Sequence, residues 1–285
     1  MIEQHDDDKP VGRILSRREV LTLLGGAGAS LIVATGFTGI KIGQAATATP
    51  EATSAALPSC VVRPALTEGP YFVDEMLNRS DIRVEPSDGS VKEGTLLKLI
   101  FNVSDVSSGT CTPLKGAQVD VWHCDAQGVY SDVTDRSFDT TGQKWLRGYQ
   151  VTDEYGVAEF ITIYPGWYSG RTVHIHFKIR TDPESDSGYE FTSQFFFDEE
   201  LTDKVQSQAP YSSKGYRDTL NANDGIFQGS EDLLTLELTE YEDEDSSEKG
   251  YTTTFNIGLD LSQPSPTASG PGGPGGPPPS GNGRP

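Results

Sequence analysis

In the stretch Arg171-Thr172-Val173-His174-Ile175-His176-Phe177-Lys178-Ile179, apolar and polar side chains alternate. Successive side chains of a β-strand point to opposite faces, so this pattern predicts a strand with one apolar and one polar face. The apolar face would carry Val173, Ile175, Phe177 and Ile179. Burial of that face against a core fixes the register, and both histidines then lie on the opposite face, about 7 Å apart.

His174 and His176 are two of only four histidines in the chain. Two imidazoles at this spacing can bind one metal ion. The pair could equally be part of the polar face of an amphipathic strand that binds nothing. We therefore looked for further ligands elsewhere in the sequence. The third histidine beyond the N-terminal segment, His123, lies on the apolar Val119/Val121 face of another predicted strand, and we expect it to be a hydrogen-bonded core residue.

The chain carries a formal charge of −20, with 22 lysines and arginines against 42 aspartates and glutamates. Nucleic-acid binding needs a basic surface, so we expect no nucleic-acid partner. An acidic balance of this size is typical of a soluble, dispersed protein outside the cell.

Residues 1–46 have the pattern of a twin-arginine export signal. Arg17 and Arg18 precede an apolar, glycine-rich run over residues 21–40, and small residues follow. The run is long enough to cross a bilayer, but its glycines make it a weak anchor. We therefore expect twin-arginine export to the extracellular side or the cell envelope, with cleavage and no stable membrane insertion afterwards.

Composition divides the remaining chain into three parts. Residues 47–59 form an Ala/Thr/Pro-rich linker, residues 60–261 a globular domain, and residues 262–285 a Pro/Gly-rich tail that should be disordered. The three cysteines are Cys60, Cys111 and Cys124. An oxidising compartment favours one disulfide, and the spacing does not choose the pair.

The globular part contains short apolar or alternating segments separated by turn signals. Predicted strands cover residues 96–103, 117–124, 145–151, 157–164, 171–179, 190–197, 233–238 and 251–259, and residues 201–206 form a short helix. Asp153 and Gly156 predict a hairpin turn between the third and fourth of these strands. The fold class is all-β, a β-sandwich of mostly antiparallel strands with long loops and little helix.

Two tyrosines lie beside the predicted strand ends. Tyr130 follows segment 117–124, and Tyr168 immediately precedes the histidine strand. A phenol keeps its proton at neutral pH unless a strong Lewis acid removes it, as ferric iron does. Two tyrosinates and two histidines around Fe(3+) leave a net charge of +1, which suits an anionic diol.

The order and spacing of six motifs resemble those of the intradiol ring-cleavage dioxygenases, and most closely their secreted branch. The motifs are T-E-G-P-Y-F (67–72), V-D-V-W-H-C-D-A-Q-G-V-Y (119–130), L-R-G-Y-Q (146–150), P-G-W-Y (165–168), R-T-V-H-I-H-F (171–177) and T-S-Q-F-F-F (192–197). The resemblance implies Fe(3+) bound by Tyr130, Tyr168, His174 and His176. It also implies catalytic roles for Arg171, Gln194 and Tyr168, the last as a ligand that dissociates.

The implied reaction inserts both atoms of O2 into a catechol-type aromatic diol, in aromatic compound catabolism. Cleavage between the hydroxyl-bearing carbons would give a cis,cis-muconate-type diacid. Only five residues separate Tyr168 from His174, fewer than in the cytoplasmic enzymes, so we expect an open cleft. The resemblance does not identify the substrate. Whether the protein forms a homodimer is also undecided, since the family's helical dimerisation domain is not found in this sequence. Two alternatives are a zinc or copper enzyme on the same sandwich and a non-catalytic binding module.

Overall fold

The computed structural model describes residues 61–185, 187–230, 232–243 and 248–266. The predicted signal segment, the linker, Cys60 and the tail beyond residue 266 lie outside the described residues. The strands are β1 (Leu96–Asp105), β2 (Thr112–Pro113), β3 (Gln118–Trp122), β4 (Arg147–Val151), β5 (Val157–Ile163), β6 (His174–Arg180), β7 (Glu190–Phe196), β8 (Thr239–Glu242) and β9 (Lys249–Leu259). The helices are α1 (Glu199–Gln206) and α2 (Gly225–Gln228), with 3₁₀ turns at Tyr211–Lys214 and Asn221–Asn223. None of the helices in these ranges is long and apolar enough to cross a membrane.

Two sheets make up the fold, which confirms the predicted β-sandwich with little helix. One sheet has the order β2-β1-β9-β8, with β5 also paired to β1, and the other has the order β4-β3-β6-β7. All neighbours are antiparallel except β1 and β9. The predicted helix at 201–206 is found as α1.

Aromatic side chains from both sheets fill the core. Phe177 of β6 stacks on Phe195 of β7 with ring centroids 4.4 Å apart, and it meets Phe101 of β1 and Phe255 of β9 at 5.6 and 5.4 Å. The apolar face of β6 is buried in this core, as its alternation predicts. Packing against the opposite sheet therefore sets the register of the strand that carries both histidines.

The predicted hairpin between residues 145–151 and 157–164 is wrong. β4 pairs with β3, whereas β5 pairs with β1 in the other sheet. The turn itself is present, since Gly156 has a φ of 76° and donates its amide to the Asp153 carbonyl at 3.1 Å. Val103 then donates to the carbonyl of Gly156 at 2.8 Å, which directs the chain into the sheet of β1. The turn connects the two sheets rather than two neighbouring strands.

The predicted strand at 233–238 is also wrong. Leu234 and Leu236 are buried in the core as their spacing suggests, but the segment forms only a single bridge, between Thr235 and Phe196 at the end of β7. The regular strand of this region, β8, begins later, at Thr239. Burial of alternate leucines against a sheet edge gives the same sequence pattern as a strand.

The two cysteines within the described residues differ in state. Cys111 is disulfide-bonded, whereas Cys124 is a free, buried thiol. The Cys124 thiol donates to the Gly166 carbonyl at 3.4 Å. Cys124 is therefore the cysteine that does not pair.

His123 links the two sheets, as a core histidine. Its Nδ1 lies 2.8 Å from the Cys124 carbonyl and its Nε2 lies 2.6 Å from Oγ1 of Thr162 in β5. A carbonyl can only accept, so Nδ1 carries the proton and Nε2 accepts from the threonine hydroxyl. Complete burial lowers the pKa of His123 to about 4.

The depressed pKa of His123 predicts acid destabilisation. Below about pH 6.5 the unfolded chain binds a proton at His123 that the folded protein refuses until about pH 4. The free energy of unfolding should therefore fall by up to roughly 3 kcal/mol from this residue as the pH drops through that window. His123→Gln, measured by denaturant titration at several pH values, should show a shallower loss than the wild type. Parallel pH profiles for the two proteins would contradict this assignment.

Candidate metal centre

Four nitrogen and oxygen donors converge at one end of the sandwich. Nε2 of His174 lies 3.1 Å from Nε2 of His176, 3.1 Å from the Tyr168 hydroxyl and 3.5 Å from the Tyr130 hydroxyl. All four predicted metal ligands therefore meet at one point. Separations of this size are those of groups that surround a common centre.

Close packing of two loops brings the tyrosines together. Tyr130 follows the turn at 125–128, and Tyr168 lies in the connection from β5 to β6. Gly166 donates its amide to the Asp125 carbonyl at 3.1 Å, and a Cβ at Gly166 would approach the Ala126 carbonyl oxygen to 2.5 Å. Only glycine permits this approach, which explains its place in the P-G-W-Y motif.

The histidines present unprotonated nitrogens to the centre. His174 Nδ1 donates to the Thr172 carbonyl at 2.6 Å, so its Nε2 carries a lone pair. Among the described residues His176 Nδ1 has no hydrogen-bond partner, so no protein contact prevents its Nε2 from doing the same. The His176 ring stacks on Trp122 at 5.0 Å and 9°. Burial lowers the pKa of both imidazoles well below the ordinary value, which keeps them neutral.

The two phenols are also neutral without a cation. Burial raises the pKa of Tyr168 to about 12 and that of Tyr130 well above its ordinary value. A bound ion must therefore be a Lewis acid strong enough to remove phenolic protons, and hard enough to prefer anionic oxygen. The residues present fit a ferric ion by this test.

Other metal chemistries find less support in this donor set. Within the residues that the structure describes, no three histidine, cysteine, aspartate or glutamate side chains gather as a metal site. Zinc sites are built from those side chains, and copper sites draw largely on histidine and cysteine. The tyrosine-rich set separates this centre from both.

The segment 66–72 contacts the histidine face of β6, a contact that the sequence did not predict. Lys178 forms an ion pair with Glu68, and Gln194 donates its amide to the Thr67 carbonyl at 2.7 Å. A Cβ at Gly69 would lie 3.1 Å from Cε1 of His176. The backbone of the T-E-G-P-Y-F motif therefore packs directly against the imidazole of His176.

Arg171 and Gln194 lie beside the four donors, as predicted. The Arg171 guanidinium donates to Oε1 of Gln194 at 2.7 Å, and its Nη1 is 3.5 Å from Nε2 of His174. On its other edge Arg171 donates through Nε to Asp224 at 2.8 Å. Sequence reasoning missed Asp224, because it lies in no motif. Its one local signal is an aspartate at the start of a helical turn.

One side of the centre opens toward solvent. Tyr130, His174 and His176 are buried, whereas Tyr168 and Arg171 are partly exposed. Tyr71, in the T-E-G-P-Y-F motif, stacks on the Tyr130 ring with the centroids 4.5 Å apart. Tyr168 and Arg171 are therefore the site residues that solvent touches.

The sequence and the fold are both similar to those of known dioxygenases. A family model described as "Dioxygenase" (Dioxygenase_C) matches residues 67–261. A solved structure, an intradiol ring-cleavage dioxygenase from Tetranychus urticae, is 32% identical with a TM-score of 0.60. That alignment covers 72% of this chain and 98% of the other.

Two curated relatives are more distant. A chlorocatechol 1,2-dioxygenase of Pseudomonas putida is 31% identical over 157 residues, covering 46% of this chain and 52% of the relative. A catechol 1,2-dioxygenase of Candida albicans is 26% identical over 214 residues, covering 67% of this chain and 60% of the relative. The chain thus spans between half and two thirds of the length of these relatives.

Removing one phenol oxygen should release the metal. Tyr130→Phe deletes a hard anionic donor without changing the packing of the ring, so we expect iron affinity to fall at least about tenfold. Tyr164→Phe is the matched control, since Tyr164 is equally buried but its hydroxyl bonds Thr202 at 2.7 Å, away from the centre. Elemental analysis and visible absorption measure the loss. Equal iron content in the two variants would exclude Tyr130 as a ligand.

Proposed function

The chain belongs to the intradiol ring-cleavage dioxygenase family, and we propose that it is a non-haem Fe(III) enzyme that cleaves catechol-type aromatic diols. Both atoms of O2 enter the product, and the ring opens between the hydroxyl-bearing carbons to give a cis,cis-muconate-type diacid. The observation that carries this proposal is the convergence of two phenol oxygens and a second imidazole nitrogen within 3.5 Å of Nε2 of His174.

The proposed cofactor is Fe(3+), held by Tyr130, Tyr168, His174 and His176. When bound, it supplies the Lewis acidity that ionises both phenols and the diol and makes the diol ring reactive toward O2. The chain supplies a dry, pre-formed donor set, because three of the four ligands are fully buried. Donors held in place before binding need no reorganisation.

The two tyrosines have different exposures, which suggests different roles. Tyr130 is only 1% exposed and is packed under Tyr71, whereas Tyr168 is at the open side of the centre. Tyr168 is therefore the phenol that can move when a diol enters. Its Oη, with a pKa raised by burial, would accept one of the protons that the diol hydroxyls lose.

Arg171 and Gln194 act on the bound diol. Arg171 is a permanent cation whose Nη1 lies near the donors, so it would stabilise the negative charge that develops on the ring. Both polar atoms of the Gln194 amide are hydrogen-bonded: Oε1 accepts from Arg171, and Nε2 donates to the Thr67 carbonyl. It holds Arg171 in the plane that faces the substrate.

The location of the enzyme is also a proposal. The twin-arginine pattern in residues 1–46 supports export to the extracellular side or the cell envelope. The connection from Tyr168 to His174 is short, which would leave room for a range of diols arriving from the medium.

Oxygen uptake with a panel of diols tests the reaction. We expect catechol to consume one O2 per molecule, and ¹⁸O2 should label both carboxylates of a muconate product. Hydroquinone, whose hydroxyls cannot chelate one ion, is the matched negative control. Arg171→Gln should lower kcat by about 10²- to 10³-fold with iron retained, because it removes charge stabilisation. Cleavage of a ring bond other than the one between the hydroxyl-bearing carbons, or equal turnover of hydroquinone, would contradict the proposal.

A further inference from the structure

Asp224 divides its two carboxylate oxygens between a helix and the candidate site. Oδ1 accepts from the backbone amides of Ile226 and Phe227, at 2.8 and 3.2 Å, and so caps α2. Oδ2 accepts from Arg171 Nε at 2.8 Å and from the Thr172 amide at 2.9 Å. The side chain is only 1% exposed.

This contact fixes one nitrogen of the Arg171 guanidinium. Nη2 donates to Gln194, and Nη1 is left 3.5 Å from Nε2 of His174. A planar guanidinium held at two of its nitrogens is restrained against rotation and withdrawal. Asp224 also holds the Thr172 amide, and the Thr172 carbonyl orients His174.

A carboxylate at this position also compensates charge. The Arg171 side chain is 18% exposed and lies beside the neutral, buried imidazole of His174. An unpaired cation there would repel a bound metal ion and would be drawn out toward water. The ion pair with Asp224 offsets the repulsion of the metal ion and keeps Arg171 from moving toward water. It leaves Nη1 free to interact with a bound diol.

Capping of α2 alone does not explain the arrangement. The helix has four residues, and Oδ1 alone makes both of the side-chain capping bonds, to the amides of Ile226 and Phe227. Asp198 is the comparison within the same chain: it caps α1 by accepting from Leu201, and its side chain makes no ion pair with Arg171. The second oxygen of Asp224 is therefore directed at the site.

We propose that Asp224 is a positioning residue for ring cleavage, holding the Arg171 guanidinium over the bound diol. This inference rests on the proposed function. Asp224 makes no hydrogen bond to the four ligands. Its direct route to the site is through Arg171, and its bond to the Thr172 amide is the competing route, through His174, that the test must separate.

A double-mutant cycle tests that dependence. Asp224→Ser keeps a side chain that caps helices but cannot pair with arginine. It should lower kcat by about 100-fold through misplacement of Arg171, with little change in KM or iron content. In the Arg171→Gln background the same substitution should change kcat less than about twofold, since coupled effects do not add. Asp198→Ser is the matched control and should leave kcat unchanged.

A second readout does not depend on turnover. In the iron-free, full-length protein the Nε–H proton of Arg171, assigned by its loss in Arg171→Gln, should exchange about tenfold or more slowly than in Asp224→Ser. This exchange measurement shows whether Asp224 holds Arg171, whatever the activity of the protein. Failure of the wild type to cleave any diol would refute the proposed function, and it would leave this measurement valid. If Asp224→Ser does not fold, Asp224→Asn replaces it in both arms.

Three results would overturn the proposal. They are an equal fall in kcat in both Arg171 backgrounds, an unchanged kcat in Asp224→Ser, and an Arg171 Nε–H exchange rate that does not respond to the substitution. Loss of iron from a folded Asp224→Ser would likewise show that Asp224 supports the ligands rather than the arginine.

Discussion

Burial of both faces of β6 is the constraint on which the rest of the structure depends. One face packs into the aromatic core, which fixes the strand's register. Segment 66–72 packs against the other face. The two imidazoles there are buried, and their Nε2 atoms are 3.1 Å apart. A buried imidazole resists protonation, and its neutral form is the one that can bind a metal.

The same burial acts in the opposite sense on the tyrosines. It favours the protonated, uncharged phenols, so the four donors together carry no charge until a strong Lewis acid takes the phenolic protons. The centre therefore selects for an ion of high charge. Arg171, the one fixed charge in contact with these donors in the described part of the chain, is balanced by Asp224.

Local patterns predicted much of this arrangement. The alternation at 171–179 predicted the strand and its two faces, and the family resemblance implied the four donors that the structure brings together. Patterns failed where the partner is distant in sequence. The turn at 153–156 could connect two paired strands or two strands of different sheets, and its residues do not distinguish these cases. Likewise, the buried leucines at 234 and 236 fit an irregular segment at a sheet edge as well as a strand. Asp224 and the cover over His176 depend on tertiary packing that no local pattern records.

Diffraction data from crystals of the purified protein, collected on both sides of the iron absorption edge, would show whether these four side chains hold one ferric ion. We expect a single anomalous peak within bonding distance of the Tyr130 and Tyr168 hydroxyl oxygens and of Nε2 of His174 and His176. A peak elsewhere, or a peak at these side chains that appears at the zinc or copper edge instead, would contradict this expectation.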